Sequence, residues 1–304
     1  MTYLNDRADL AGRVAVIVGG GGGIGRACAL DLGGAGMRLA LCDRDAAALD
    51  ECAALITDAG GEVMTGELDA RDGEALSAFF DRVDTRFEAG CDVVVHVVGG
   101  TFRQPFVESN PRGWDALIRT NFTWMLHSTQ LAVARMQPRG GGSIINITSI
   151  EAHRAAPGYA VYAAMKAAVT SFTRTLAVEL APHHIRVNTI APDYIATPGL
   201  ESLAAAGDAK TAALQHQIAT PMGRAGTFED AGGCALFLAS NLSSFVTGTT
   251  LHPDGGALAS AGWFNWPAEG YLNHPPHEIL DSLLQPPVVG TDRQPTTGEG
   301  DGRP

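Results

Sequence analysis

One junction near the amino end leaves this chain few folds to choose from. Residues 13–18, RVAVIV, form a β-branched apolar run that passes straight into GGGGGIG and then RACALDLGGAG. That order reads as a buried strand, a glycine turn and a helix. Strand-like and helix-like segments then keep alternating. RLALCD (38–43) reads as a strand and 45–60 as a helix with a Gly-Gly stop; EVMTGELD, a helical stretch at 73–88 and DVVVHVVGG follow. A long helical stretch at 113–137, the strand GSIINITS (142–149), a helix at 158–181 and IRVNTIAP (185–192) complete the series. Strands this apolar belong to a parallel sheet covered on both faces, and right-handed crossovers make it doubly wound. The expectation is a single α/β domain with a mainly parallel sheet and helices on both faces.

At 304 residues the chain exceeds what one such domain needs. The surplus lies at the carboxyl end, where residues 260–304 hold seven of the 16 prolines and finish in the polar stretch VGTDRQPTTGEGDGRP. A domain over 1–259 is expected, with an extension over 260–304. Within it Trp263, Phe264, Trp266 and Tyr271 predict order across 260–284, and the remainder reads as flexible.

Charge narrows the partners. Lys+Arg 21 against Asp+Glu 33 gives a net charge of −12, which opposes nucleic acid and anionic lipid and favours a small-molecule partner. No apolar run approaches the length of a membrane span, and the amino end has no secretory pattern. Five dispersed cysteines without CxxC spacing fit a reduced, cytoplasmic setting, and neither they nor the nine histidines fall at metal-ligand spacing.

Gly19, Gly23 and Gly25 stand between strand and helix, where bare amides and the positive end of a helix dipole can hold a pyrophosphate. Such loops also occur in methyltransferases, flavoproteins and plain turns. Asp43 closes the second strand, where a carboxylate can take the adenosine ribose hydroxyls and repel a 2′-phosphate, favouring NAD over NADP. Arg44 and Arg26 are the cations able to reverse that preference, and Asp43 can alternatively cap the helix that starts near Asp45. Tyr162 and Lys166, four apart in YAAMK, share a helix face, so an ammonium can lower the phenol's pKa. Ser149 ends a strand at the carboxyl edge of the sheet, and Asn121 is a polar residue among apolar neighbours.

In order and spacing these residues resemble the short-chain dehydrogenase/reductase family, over about residues 10–258, together with Asp69, Thr197-Pro198, PMGRAG and FVTGTTLHPDGG. The resemblance implies a Rossmann-type, seven-stranded domain and hydride transfer between a nicotinamide and an alcohol/ketone pair. Tyr162 would be the acid/base; Lys166 would lower its pKa and bind the nicotinamide ribose. Ser149 would orient the substrate oxygen, and Asn121 would hold a proton-relaying water. Gly19, Gly22, Gly23, Ile24, Gly25, Asp43, Arg44, Asp69, Ala70, Val98, Gly99, Pro192, Ile195 and Thr197 would join Tyr162 and Lys166 in holding the cofactor. Thr101, Phe102, Glu151, His153, Tyr159, Asp193 and Tyr194 would line the substrate pocket with Ser149.

The implied activity is NAD-dependent oxidation or reduction at a secondary alcohol/ketone, cyclic or hydrophobic, with a second polar group. Glu151 and Asp193 can hydrogen-bond that group, or pair with Arg154. The alternatives are a 3-oxoacyl-thioester reductase using NADPH and, from another class, a non-catalytic nucleotide sensor. Three departures stand out: Val18 before the first motif glycine, His96-Val97-Val98-Gly99 in place of NNAG, and Asp193 after Ala191-Pro192. The second removes two amides that would brace the strands. Apolar positions around helices 113–137 and 158–181 imply a homotetramer of D₂ symmetry, or at least a dimer.

Overall fold

The computed structural model describes residues 3–88, 90–195 and 209–284. The central strand β1 (Val14–Val18) is buried along its whole length, and its side chains feed two cores. Val14, Val16 and Val18 enter one, and Ala15 and Ile17 the other. Alternation along a strand sends neighbouring side chains to opposite faces, so a strand apolar at every position needs cover on both. β2 (Arg38–Asp43) and β3 (Val63–Glu67) lie on one side of β1. On the other lie β4 (Val93–His96), β5 (Gly142–Ile147), β6 (Ile185–Ile190) and β7 (Thr250–Leu251). The order is β3-β2-β1-β4-β5-β6-β7, with every pair parallel.

The amino end carries a short helix, α1 (Tyr3–Ala8). Helices α2 (Gly23–Gly34) and α3 (Ala46–Asp58) cover one face, and α4 (Gly73–Phe87) covers the other with Phe79, Phe80 and Phe87. The expected helix at 113–137 is a composite. α5 (Pro111–Ile118), capped by Asn110, runs into a π-helical turn at Arg119–Thr123 and continues as α6 (Trp124–Met136). α7 (Ala160–Leu180) joins α4 and α6, whereas α8 (Ala209–Ala219) precedes α9 (Phe228–Ala239), which packs on α2.

Beyond β7 come α10 (Ala257–Ser260), an antiparallel hairpin of β8 (Phe264–Trp266) and β9 (Gly270–Leu272), and α11 (His277–Leu284). β8 packs on α8. Trp263, Phe264 and Tyr271, expected to dock, are each 38–49% exposed in the single chain. The indole nitrogen of Trp266 is enclosed without a hydrogen-bond partner among the described residues. Thr197 and the stretch 285–304 lie outside the described residues.

The order of strands reverses between β1 and β4. At such a point the loops leaving two neighbouring strands diverge and open a crevice at their carboxyl ends. Here the amides of Val97 and Val98 donate to the Val18 carbonyl at 2.9 and 3.2 Å, fixing both loops at the floor of that crevice.

Candidate active site

The crevice is a cleft of 340 Å³ whose walls include Gly19, Asp43, Asp69, Ala70, Val98 and Gly99. α2 starts at its edge. Its N-cap is Gly22, which offers no side chain to the first amides of the helix, so those donors are left for a ligand. A Cβ on Gly25 would stand 1.9 Å from the Gly19 carbonyl oxygen, so only glycine lets the helix sit this close to the turn. Gly23 and Ile24 complete that first turn. These residues fit a dinucleotide: bare helix amides for the pyrophosphate, and Asp43 for a ribose.

Asp43 accepts from Gly21 N–H at 3.2 Å and Asp45 N–H at 3.3 Å, while Asp45, not Asp43, caps α3. Of the two arginines nearby, Arg26 is held by Glu51 and by the Gly21 carbonyl, and Arg44 lines the cleft. Asp69 pairs with Arg71, which holds its carboxyl down to about 2. Pro192 accepts from Ile150 N–H at 3.0 Å, and Ile195 is buried and bridges to Gly226.

Tyr162 and Lys166 lie one turn apart on α7, with Lys166 Nζ 5.7 Å from the phenol ring centre. The ammonium is buried and donates to the Ile147 carbonyl at 3.0 Å; loss of water lowers its pKa to about 8. Tyr162 differs from expectation. Burial raises its phenol above the usual range, Ser149 opposes that, Glu151 adds to it, and Lys166 is not among the causes. The phenol therefore holds its proton at neutral pH. The ring stands largely out of water, and the ammonium is itself weakened by desolvation.

Asn121 occupies the π-helical turn, buried, and its amide is fully engaged. Nδ2 donates to the carbonyls of Gly100 (2.8 Å) and Leu117 (3.0 Å), and Oδ1 accepts from Gly100 N–H (3.1 Å). Gly99 is the contact between the two elements: a Cβ there would lie 3.0 Å from Asn121 Oδ1 and 3.1 Å from Lys166 Nζ.

On the substrate side, Ser149 accepts from Glu151 N–H at 3.2 Å. Glu151 and Asp193, expected to face a substrate group, are both bound by one nitrogen of Arg154, each at 2.9 Å. Burial raises the Asp193 carboxyl, and Arg154 pulls it back. His153 turns edge-on to His252 at 4.8 Å. Tyr194 meets the His216 ring of α8 at 5.0 Å. Thr101 is exposed, and Phe102 and Tyr159 border a narrow recess with Phe106 and Trp114, which stack at 5.6 Å.

Comparison with known proteins gives the family of the chain. A family model described as enoyl-(acyl carrier protein) reductase matches residues 19–257. The gluconate 5-dehydrogenase of Gluconobacter oxydans is 33% identical over 84% of this chain and 98% of its own length. The 3-oxoacyl-[acyl-carrier-protein] reductase of Thermotoga maritima is 34% identical over 82% of this chain and 99% of its own. Among solved structures, a 7α-hydroxysteroid dehydrogenase complexed with NADH and 7-oxo glycochenodeoxycholic acid superposes with a TM-score of 0.77. It is 31% identical and covers 84% of this chain and 98% of that one. The chain belongs to the short-chain dehydrogenase/reductase family.

In this short-chain dehydrogenase/reductase the HVVG departure does not leave the strands unbraced. His96 is buried and bonds Asn146 Oδ1 through Nδ1 at 2.8 Å and Ser128 Oγ through Nε2 at 2.9 Å; Asn146 then donates to Thr173 at 2.8 Å. Burial drops the imidazole pKa to about 4, so it is neutral. His96 and Asn146 sit opposite each other on β4 and β5. One signal could have found this pair: each is the only strongly polar residue near the end of an otherwise apolar strand. The Arg154 clamp had half a signal, since Glu151 and Arg154 are three apart. Arg71 and Trp114 left none.

Proposed function

We propose that this enzyme transfers hydride between NAD and a secondary alcohol/ketone of cyclic or hydrophobic character. The observation that carries the reading is the buried Lys166 ammonium beside Tyr162, opposite Ser149, at the end of the cleft. Bound nicotinamide supplies or accepts the hydride. Tyr162 holds the proton a carbonyl oxygen needs when it becomes an alcohol, and Ser149 orients that oxygen by a hydrogen bond. Lys166 places positive charge where a phenolate would form, which eases proton loss once the site is filled. Asn121 locks the loop at Gly100 to the π turn with its side-chain amide, so the water expected to relay a proton from Lys166 would need a partner other than that amide. Gly19 to Gly25 would hold the pyrophosphate, and Asp43 the ribose hydroxyls. Pro192 and Ile195, with Thr197 from outside the described residues, would hold the carboxamide. Phe102 and Phe106 present exposed apolar surface beside the narrow recess, which suits a hydrophobic substrate.

The test uses NADH or NADPH with steroid, terpenoid and simple cyclic ketones. Activity with NADH that disappears in Tyr162→Phe, while NAD binding persists, is expected. Unchanged turnover in the variant overturns the role of Tyr162; NAD binding with no turnover of any substrate points to a nucleotide sensor. One observation favours a second reading: Arg44 beside Asp43 can meet a 2′-phosphate. In that reading the enzyme reduces 3-oxoacyl thioesters with NADPH, and activity confined to those thioesters selects it. A homotetramer or dimer completes the proposal.

A further inference from the structure

The Ser149 loop and the loop after β6 meet beside Tyr162, whose phenol feels both Ser149 and Glu151, and two interactions join them. The Ile150 amide donates to the Pro192 carbonyl at 3.0 Å, and Arg154 binds Glu151 Oε1 and Asp193 Oδ1 with the same Nη2, each at 2.9 Å. One guanidinium thus serves two carboxylates, and the wall keeps a net negative charge. Asp254 lies near enough to push against Asp193, and burial, with Arg174 adding to it, keeps the imidazole of His153 below its ordinary pKa; three carboxylates thus stand against the two guanidiniums of Arg154 and Arg174. Each carboxylate carries a second oxygen able to accept a hydrogen bond from a hydroxyl, beside the backbone hydrogen bond that Asp193 takes from Tyr194. Arg154 fixes both groups in place, so accepting such a hydroxyl needs no reordering of long side chains.

We propose that the Glu151–Arg154–Asp193 clamp is a specificity element that selects uncharged substrates bearing a hydroxyl remote from the reacting carbon and rejects those bearing a carboxylate there. The inference rests on the proposed alcohol/ketone chemistry and deepens it. A substrate hydroxyl donates to the wall; a substrate carboxylate faces like charge in a half-buried setting, where repulsion is weakly screened. The acyl-thioester reading makes no such demand, since it needs no hydroxyl donor at this wall.

The experiment compares cyclohexanone, 4-hydroxycyclohexanone and 4-oxocyclohexane-1-carboxylate with the full-length enzyme and NADH. The hydroxy ketone is expected to exceed the carboxylate by about tenfold or more in kcat/KM. In Glu151→Gln and Asp193→Asn that ratio should fall to about threefold or less, with the Kd for NADH unchanged. Calorimetric binding of the same ketones to enzyme saturated with NADH should give the same order, independently of turnover. Equal kcat/KM or equal affinity for hydroxyl and carboxylate overturns the clamp, as does a ratio that neither variant moves. Failure of the wider reading looks different: turnover persists in Tyr162→Phe, whatever the order of binding.

Discussion

Lys166 is the least comfortable residue in the molecule, and its discomfort can be measured. Its ammonium is buried, and its pKa falls from 10.5 to about 8. Between those values the unfolded chain binds the extra proton, so stability rises as pH goes from about 8 towards 10.5 and is lowest below that window. The shift corresponds to about 3 kcal/mol of destabilisation at neutral pH. Lys166→Met should therefore raise Tm at pH 7, lose most of that gain by pH 10, and abolish turnover; unfolding followed by circular dichroism at both pH values checks it. His96 titrates at the other end. Its pKa is held at about 4, below the 6.5 of an exposed imidazole, so the unfolded chain takes up the proton first and stability drops as pH falls from 6.5 to 4. His96→Leu should cost about 1–3 kcal/mol at pH 7, since it strands Asn146 and Ser128, and should flatten the acid limb in urea titrations. These two residues show what a sequence discloses. Tyr162, Lys166, Ser149 and Asn121 are legible because their types and spacing along the chain carry their chemistry. The His96–Asn146 pair is not, because strand register joins residues fifty apart, and the Tyr162 shift is not, because burial is set by packing.

The secondary-structure elements were legible where period and glycine placement agree. β1 and α2 are defined by an apolar run, a turn and a helix with no competing signal, and β2, β4 and β5 follow the same rule. The π turn at Arg119–Thr123 was not, since one inserted residue leaves the apolar pattern of α5 and α6 almost unbroken. Nor was the partner of the carboxyl-terminal extension: aromatic residues announce that they bury surface, but not against what. Here β8 lies on α8, and α8 carries His216 against Tyr194 on the substrate side. The hairpin therefore supports the helix that packs against Tyr194, a residue proposed to line the substrate pocket. Truncation after Ser260 removes that support without touching the glycine loop or Asp43. KM for a cyclic ketone should rise by about threefold to tenfold, equivalent to roughly 1 kcal/mol, while the Kd for NAD stays put. Steady-state kinetics with calorimetry decides, and unchanged KM means the extension serves another purpose.

For the whole molecule, the open question is how many copies act together. No helix among the described residues is long and apolar enough to cross a membrane. Yet Phe245 is completely exposed and Val178 is 77% exposed, and both flank one corner of the sheet. Phe245 precedes β7, the edge strand, by five residues, and a Cβ on Gly248 would lie 3.3 Å from that of Ala177, next to Val178. A short edge strand with apolar side chains beside it is an exposed liability for a lone chain, and a two-fold contact across it removes the liability for both partners. Burying Phe245 would contribute about 1.5–3 kcal/mol per copy. Against this stands a net charge of −12 on every chain, whose repulsion salt screens. The enzyme should therefore run as a dimer or tetramer of its 31.7 kDa chain in light scattering, more completely at 0.3 M salt than at low salt. Phe245→Glu should shift it towards smaller species at every ionic strength. A wild-type monomer at micromolar concentration would refute the assembly and leave the single-chain chemistry intact, because every residue assigned to proton transfer comes from one chain.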